Sequence, residues 1–112
     1  MKSSMQASVF LSVLLVLLAV FVVPGIAAAK PDGTTVFKEK CSMCHGQDGK
    51  GFPALKTPDF TDPKWQASIT DDKIIETIKN GKKGTPMPAF SGKLSDDEIT
   101  AVKDYVRSLG KK

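Results

Sequence analysis

Histidine, cysteine and arginine are scarce in this sequence, and their scarcity narrows the kinds of site it can build. The 112 residues include one histidine and two cysteines, and Arg107 is the only arginine. A zinc site usually takes four nitrogen or sulfur ligands, but Cys41, Cys44 and His45 supply only three. The single arginine excludes a twin-arginine export signal. No dense Lys/Arg stripe with interleaved aromatic residues indicates nucleic-acid binding, and the net charge of +4 is mild.

Long apolar runs are absent outside the first segment of the chain. Residues 9–23 contain a single polar residue and follow the positive charge of Lys2. The helix-breaking pair Pro24-Gly25 comes next, and a run of alanines ends at Ala29. This order is typical of a secretory signal peptide that is cleaved after Ala29.

We therefore expect two parts, a signal peptide at residues 1–29 and one small domain at residues 30–112. The alternative is an uncleaved membrane anchor, because residues 9–29 carry no charge and are long enough to span a bilayer. Export by this route predicts a periplasmic location. The thylakoid lumen and a membrane-tethered periplasmic form are the alternatives, and membrane association is expected only if the first segment is uncleaved.

The domain lacks any segment with the alternating pattern of a strand, so the sequence predicts an all-α fold. Apolar spacing and capping residues predict three main short helices: Thr34–Cys44, Asp71–Lys79 and the segment between the cap Ser95 and the stop Gly110, where Ser95 and Glu98 form a capping box. Each helix has one predicted apolar face: Phe37, Cys41 and Cys44 on the first, Ile74, Ile75 and Ile78 on the second, and Ile99, Val102, Val106 and Leu109 on the third. The loops between them, residues 46–69 and 81–94, are long for so small a domain. Loops of this length are usually functional or wrapped around a bound group.

The strongest chemical signal is the run Cys41-Ser42-Met43-Cys44-His45, a C-x-x-C-H motif typical of covalent haem c attachment. Two cysteines at this spacing can each add to a haem vinyl group, and the imidazole of the next residue can bind the iron. A thioredoxin-like pair would need a βαβ pattern that is missing, and a disulfide across so short a loop would contribute little. The motif therefore predicts one haem c, bound through Cys41 and Cys44, with His45 as proximal ligand.

A second axial ligand is suggested by elimination. Residues 30–112 hold no other histidine and only two methionines, Met43 and Met87. Met43 lies inside the attachment motif, on the side of the proximal ligand. Met87 is flanked by prolines that stiffen its loop, and we expect it to be the distal iron ligand. The alternative is that Met87 fills the core and the iron keeps an open position.

With these motifs in place, the chain resembles a class I (mitochondrial-type) cytochrome c of the small exported, monohaem kind. The resemblance covers nearly all of residues 30–112: a first helix running into C-x-x-C-H, a methionine loop and a terminal helix. It implies the class I cytochrome c fold, with the loops wrapped around one covalently bound haem. It also implies that Phe37 and Tyr105 meet where the first and last helices cross.

The resemblance further implies roles for residues around the haem. Pro53 and Leu55 match a Pro-x-Leu element, in which the proline carbonyl accepts a hydrogen bond from the proximal imidazole and the leucine packs on the haem ring. Trp65 is expected either to donate its indole N–H to a haem propionate or to pack in the core. Residues 56–65 otherwise match no family pattern that identifies propionate partners.

The expected function is one-electron transport between redox partners in an exported compartment, without an enzymatic reaction of its own. Four lysines in the long loops are expected either to favour partners with acidic docking surfaces or only to support solubility: Lys50, Lys56, Lys82 and Lys83. The default oligomeric state is a monomer. Two alternatives stay open: a haem module of a larger oxidoreductase, or a peroxidase or gas-ligand site if Met87 is labile.

Overall fold

The structure is a computed structural model that describes residues 24–25 and 29–112. The predicted signal peptide, its cleavage after Ala29 and the alternative anchor at residues 9–29 concern positions that lie almost wholly outside the described residues. Within the described part, no helix has the length and apolar character needed to cross a membrane.

The described residues fold into short α-helices and one 3₁₀ turn, joined by loops. The helices are α1 (Gly33–Lys40), α2 (Ser42–His45), α3 (Pro63–Ser68), α4 (Asp71–Asn80) and α5 (Asp96–Leu109), and the 3₁₀ turn is Pro53–Leu55. No strand occurs in this part of the chain, where Ser91 and Leu94 form only an isolated bridge. The all-α prediction is confirmed.

Capping residues start the main helices where the sequence predicts. The Asp32 carboxylate accepts from the Thr34 amide at 3.0 Å and caps α1, and the Thr70 hydroxyl accepts from the Lys73 amide at 3.2 Å at the start of α4. The predicted capping box of α5 is present, since Ser95 and Glu98 exchange two hydrogen bonds between side chain and backbone. Each cap satisfies amide donors that have no partner inside the helix.

Helices α1 and α5 cross in close contact. A Cβ atom on Gly33 would lie 2.0 Å from the Ala101 carbonyl oxygen, so only glycine allows this approach. One turn further along α1, the rings of Phe37 and Tyr105 lie 5.0 Å apart at 55°. The expected meeting of these aromatic residues is confirmed.

The core lies beneath this crossing and between α4 and α5. The predicted apolar faces are buried, with Ile75 only partly covered; the buried apolar cluster comprises Phe37, Phe60, Ile74, Ile78, Leu94, Ile99, Val102, Val106 and Leu109. Helix α4 therefore packs its isoleucine face on α5.

Two predictions about local structure need correction. The first helix is broken at Cys41, because the Ser42 hydroxyl donates to the Lys38 carbonyl at 2.6 Å and competes with the regular helix bonds. As a result Phe37 is buried while Cys44 is exposed, and the two do not share a buried face. The segment 46–69 is not a continuous loop either, because it contains the 3₁₀ turn and α3.

Helix α3 is attached to α5 by hydrogen bonds of Arg107 and Gln66. The Arg107 guanidinium donates to the Gln66 carbonyl at 2.7 Å, to the Gln66 side-chain oxygen at 2.9 Å and to the Ile69 carbonyl at 2.7 Å. Its Nε also donates to Asp71 at 2.6 Å. The Gln66 amide in turn donates to the Phe60 and Val106 carbonyls at 2.8 and 2.9 Å. These bonds fix the end of the first long loop.

Candidate functional site

The two cysteines lie at the junction of α1 and α2, both as free thiols. Cys41 is half-buried and packs against the core, whereas Cys44 is exposed one turn later. The Cys44 and His45 amides both donate to the Cys41 carbonyl, at 3.2 and 3.0 Å. Burial, with a smaller contribution from Cys44, raises the pKa of the Cys41 thiol to about 11. The motif is therefore held in a compact helical turn.

The His45 imidazole is partly buried, and this burial disfavours its protonated form. Burial lowers its pKa below the ordinary value, so the unprotonated ring that binds metal ions is favoured. Its Nδ1 atom is buried and has no hydrogen-bond partner among the described residues. The His45 backbone is fixed on both sides, because its amide donates to Cys41 and its carbonyl accepts from Gly51 at 2.8 Å.

Phe60 is the aromatic neighbour of this imidazole. The two rings stack with centroids 4.8 Å apart and an interplanar angle of 23°. Phe60 also contacts Phe37 at 6.3 Å and Trp65 at 4.7 Å between ring centroids. Its own amide donates to the Gly49 carbonyl at 2.9 Å. Sequence reasoning missed this residue, because no local spacing connects Phe60 with His45.

The 3₁₀ turn after His45 contains Pro53 and Leu55. Among the described residues the His45 Nδ1 atom has no hydrogen-bond partner, and its bond to the Pro53 carbonyl stays a prediction. The Pro53 carbonyl accepts from the Lys56 amide at 3.1 Å within its own turn, and the imidazole rests against Phe60. Leu55 is 46% exposed, which leaves its apolar side chain accessible.

Trp65 lies in α3 and belongs to the same aromatic cluster as Phe60. It is partly buried, packs against the core and lies next to Phe60. Through Phe60, the structure brings Trp65 within two aromatic contacts of His45. The predicted interaction with a propionate stays a prediction.

The Met87 segment, residues 82–91, is anchored at the carboxyl end of α4. The Phe90 amide donates to the Ile78 carbonyl at 2.9 Å, and the Ser91 amide donates to the Lys79 carbonyl at 3.1 Å. The Met87 carbonyl accepts from the Lys82 amide at 3.3 Å. Met87 itself is partly buried and packs against the core, whereas Met43 is 88% exposed. The two methionines thus occupy very different environments.

These residues fit a covalently attached haem. Two cysteines and a partly buried imidazole, whose Nδ1 has no partner among the described residues, lie in one helical turn. The apolar side chains of Phe52 and Leu55 are exposed in the loop that follows. Within residues 24–25 and 29–112, no group of three or more His, Cys, Asp or Glu side chains gathers as a metal site. The donor set therefore suits a porphyrin iron better than a zinc ion.

Comparison with known proteins supports this interpretation. Residues 28–106 match the family model described as cytochrome c oxidase, cbb3-type, subunit III. The FixP subunit of the cbb3-type oxidase from Bradyrhizobium sp. (strain ORS 278) is 42% identical over 78 residues, which cover 70% of this chain and 27% of the relative. The CcoP subunit from Cereibacter sphaeroides is 33% identical over 84 residues, covering 75% of this chain and 29% of the relative. The chain thus spans less than a third of the length of these relatives.

A solved structure is similar over its whole length. The KustC0563 c-type cytochrome is 34% identical, with a TM-score of 0.66, and the match covers 70% of this chain and 98% of that protein. The fold of the described domain is thus the class I cytochrome c fold predicted from the sequence. The chain belongs to the cbb3-type cytochrome c oxidase subunit III family, and its described domain is a c-type cytochrome.

Proposed function

We propose that this chain is a one-electron carrier with one haem c, held by thioether bonds from Cys41 and Cys44. His45 is the proximal iron ligand and Met87 the distal one. The observation that carries the proposal is the C-x-x-C-H turn, in which two cysteines that form no disulfide are followed directly by a partly buried imidazole. When bound, the haem supplies a one-electron redox centre.

The protein contributes a rigid surrounding for that centre. The His45 backbone is held by hydrogen bonds on both sides, and the Phe60 ring restricts rotation of the imidazole. A fixed ligand geometry keeps rearrangement small when the oxidation state changes. Phe52, Leu55 and the core around Trp65 offer apolar surface against the porphyrin, and ligand identity and burial then set the reduction potential.

Met87 is favoured as distal ligand by its environment. It is partly buried against the core in a segment anchored by three backbone hydrogen bonds, while Met43 projects into solvent. A thioether ligand favours ferrous iron and raises the potential. Two features argue against peroxidase or gas-ligand chemistry. Met87 as a ligand would fill the distal position, and the sequence has no second histidine to serve as an acid–base group.

The test is the absorption spectrum of the full chain made in a host that attaches haem c. A low-spin c-type spectrum with the ferric Met-to-iron charge-transfer band, and no carbon monoxide binding by the reduced protein, is the expected result. Met87→Ala should abolish the band and allow carbon monoxide binding, whereas the matched control Met43→Ala should keep the wild-type spectrum. A high-spin wild-type spectrum would instead favour a peroxidase or gas-ligand site.

The physiological partners are proposed to carry acidic docking surfaces. Lys50, Lys56, Lys82 and Lys83 are all exposed in the two loops that flank the site residues, and positive charge there would speed encounters with acidic partners at low salt. The double charge reversal Lys82→Glu/Lys83→Glu should slow electron delivery to such a partner at low ionic strength. The control Lys111→Glu/Lys112→Glu changes the net charge equally at the chain end. Equal rates in both variants would refute the steering role.

A second candidate is that of a haem module serving a larger oxidoreductase. It is favoured by the relatives, which are named as subunits of cbb3-type cytochrome c oxidase. We propose a periplasmic location for residues 30–112, with residues 1–29 as a cleaved signal peptide and a monomer as the free form. N-terminal sequencing of the exported protein distinguishes a free carrier, which would begin at Lys30, from a tethered one that retains residues 9–29.

A further inference from the structure

Helix α4 and the Met87 segment are connected at one point of close backbone contact. The helix ends at Asn80, and Gly81 follows with φ 72° and ψ −174°. This is a region of backbone conformation that is essentially restricted to glycine. The Gly81 amide still donates to the Thr77 carbonyl at 2.9 Å, so this residue closes the helix and turns the chain away from it.

The Met87 segment lies directly against Gly81. A Cβ atom at this position would lie 2.8 Å from the Met87 carbonyl oxygen, 3.0 Å from the Ala89 amide nitrogen and 3.0 Å from the Pro88 carbonyl carbon. All three atoms belong to the backbone, so no side-chain rotation can relieve the contact. Any side chain at Gly81 must move either the end of α4 or the Met87 segment.

Hydrogen bonds on both sides of this contact fix the segment to the helix. The Lys82 amide donates to the Met87 carbonyl, and the Phe90 and Ser91 amides donate to the Ile78 and Lys79 carbonyls in the last turn of α4. The two bonds from Phe90 and Ser91 pair carbonyl groups that a helix end otherwise leaves without partners. The position of Met87 is therefore coupled to the geometry of the α4 carboxyl end.

We propose that Gly81 is a positioning residue for the distal ligand: its missing side chain lets the Met87 backbone rest on the end of α4, and this contact sets where the thioether lies. The inference rests on the proposed role of Met87 as iron ligand. It assigns to Gly81 an effect on the site that differs from the general effect of a loop glycine on stability.

The chain offers a matched control for this role. Gly84 lies between Gly81 and Met87 and also has a positive φ, 76°, but a Cβ atom there would meet nothing within 4 Å. Gly84→Ala therefore introduces a positive-φ alanine into the same loop without pushing on the Met87 segment. Gly81→Ala introduces both the unfavourable conformation and the backbone contact.

The experiment compares the wild type, Gly81→Ala and Gly84→Ala as haem-loaded full chains. The contact of a new Cβ atom with the backbone of the Met87 segment predicts that Gly81→Ala raises the fraction lacking the Met87 ligand about 10- to 100-fold. The measurements are the ferric Met-to-iron charge-transfer band and the rate of carbon monoxide binding to the reduced protein, with far-UV circular dichroism to establish that the helices persist. Gly84→Ala should bind carbon monoxide at a rate within about twofold of wild type. Equal behaviour of the two variants would overturn the inference.

A reciprocal measurement covers the case in which Gly81→Ala does not fold. If the α4 end positions Met87, loss of the Met87 ligand must loosen the same contact, because the coupling acts in both directions. Amide hydrogen exchange at Phe90 and Ser91 should then be at least about tenfold faster in Met87→Ala than in wild type, with the Val102 amide in α5 as reference. Unchanged exchange at both amides would refute the coupling.

Failure of this inference is distinguishable from failure of the proposed function. Absence of the charge-transfer band in the wild-type protein would overturn the Met87 assignment itself. A wild-type band that Met87→Ala abolishes, together with equal spectra of the Gly81 and Gly84 variants, would leave the assignment standing and remove only the positioning role of Gly81.

Discussion

Arg107 is expected to be the most important polar residue for the stability of this domain. Its guanidinium donates three hydrogen bonds to oxygen atoms of Gln66 and Ile69, at 2.7, 2.9 and 2.7 Å, and its side chain is 24% exposed. It is also the only arginine in the chain. Arg107→Ala leaves two backbone carbonyls without their donor at the point where α3 meets α5.

The magnitude follows from these bonds. Each hydrogen bond from a charged group contributes about 1.5–3 kcal/mol, but the three share one side chain and water reaches part of the site, so they do not add fully. We expect Arg107→Ala to lower the free energy of unfolding by about 2–4 kcal/mol. In a domain of this size that corresponds to a decrease in Tm of about 10 °C or more. Arg107→Lys should recover less than half, because a lysine cannot reproduce the planar arrangement of donors.

Urea unfolding of the haem-loaded protein, followed by far-UV circular dichroism, measures this difference. The control is Lys73→Ala, which removes an exposed ion pair with Glu76 at 3.0 Å and should cost no more than about 0.5 kcal/mol. If Arg107→Ala were as mild as this control, the three hydrogen bonds would not attach α3 to α5, and the reasoning would be refuted.

Other predictions concern pH, packing and the proximal side. Hydrogen bonds from Arg107, and secondarily from Lys103, hold the pKa of Asp71 below its ordinary value of 3.8. The stabilisation that these bonds give the folded protein is therefore present above pH 3.8 and is lost as the pH falls through the lowered pKa. Asp71→Asn should therefore flatten the pH dependence of unfolding below about pH 4. Gly33→Ala should destabilise the domain by about 1–3 kcal/mol in urea unfolding, because the α1–α5 crossing has no space for a methyl group. Phe60→Leu should cost about 1–2 kcal/mol and shift the NMR signals of the proximal imidazole in the reduced protein; unshifted signals would argue against the stack.

Local sequence signals predict those parts of the fold that depend on local interactions. The capping box at Ser95 and the apolar spacing of α5 involve residues within a few positions of one another, and both are present in the structure. The short helix α3 also has a local signal, since Asp62 accepts from the Lys64 amide and Pro63 is the first helical residue. A helix of only six residues is too short to show an apolar periodicity, so the pattern of the sequence predicts a loop there.

The remaining features depend on contacts between distant residues, which spacing does not reveal. The break at Cys41 needs the Ser42 hydroxyl to compete for a helix carbonyl. The Phe60 stack on His45 requires the whole loop from Gly49 onward to return to the motif. The hydrogen bond from His45 to the Pro53 carbonyl, which the resemblance to cytochromes c implies, stays a prediction.

The two sides of the proposed haem site are therefore built differently. The proximal side is local: Cys41, Cys44 and His45 lie within one helical turn, and two covalent bonds would hold the group there. The distal side is assembled from distant contacts, since Met87 is positioned by the end of α4 through backbone hydrogen bonds and the space left at Gly81. Segments held by a few such contacts open at lower free energy than helices packed in the core. Because α4 is itself fixed by its isoleucine face against α5, changes in the packing of α4 should reach Met87 through the end of that helix, whereas changes in the packing of Phe60 should reach His45 through the ring stack.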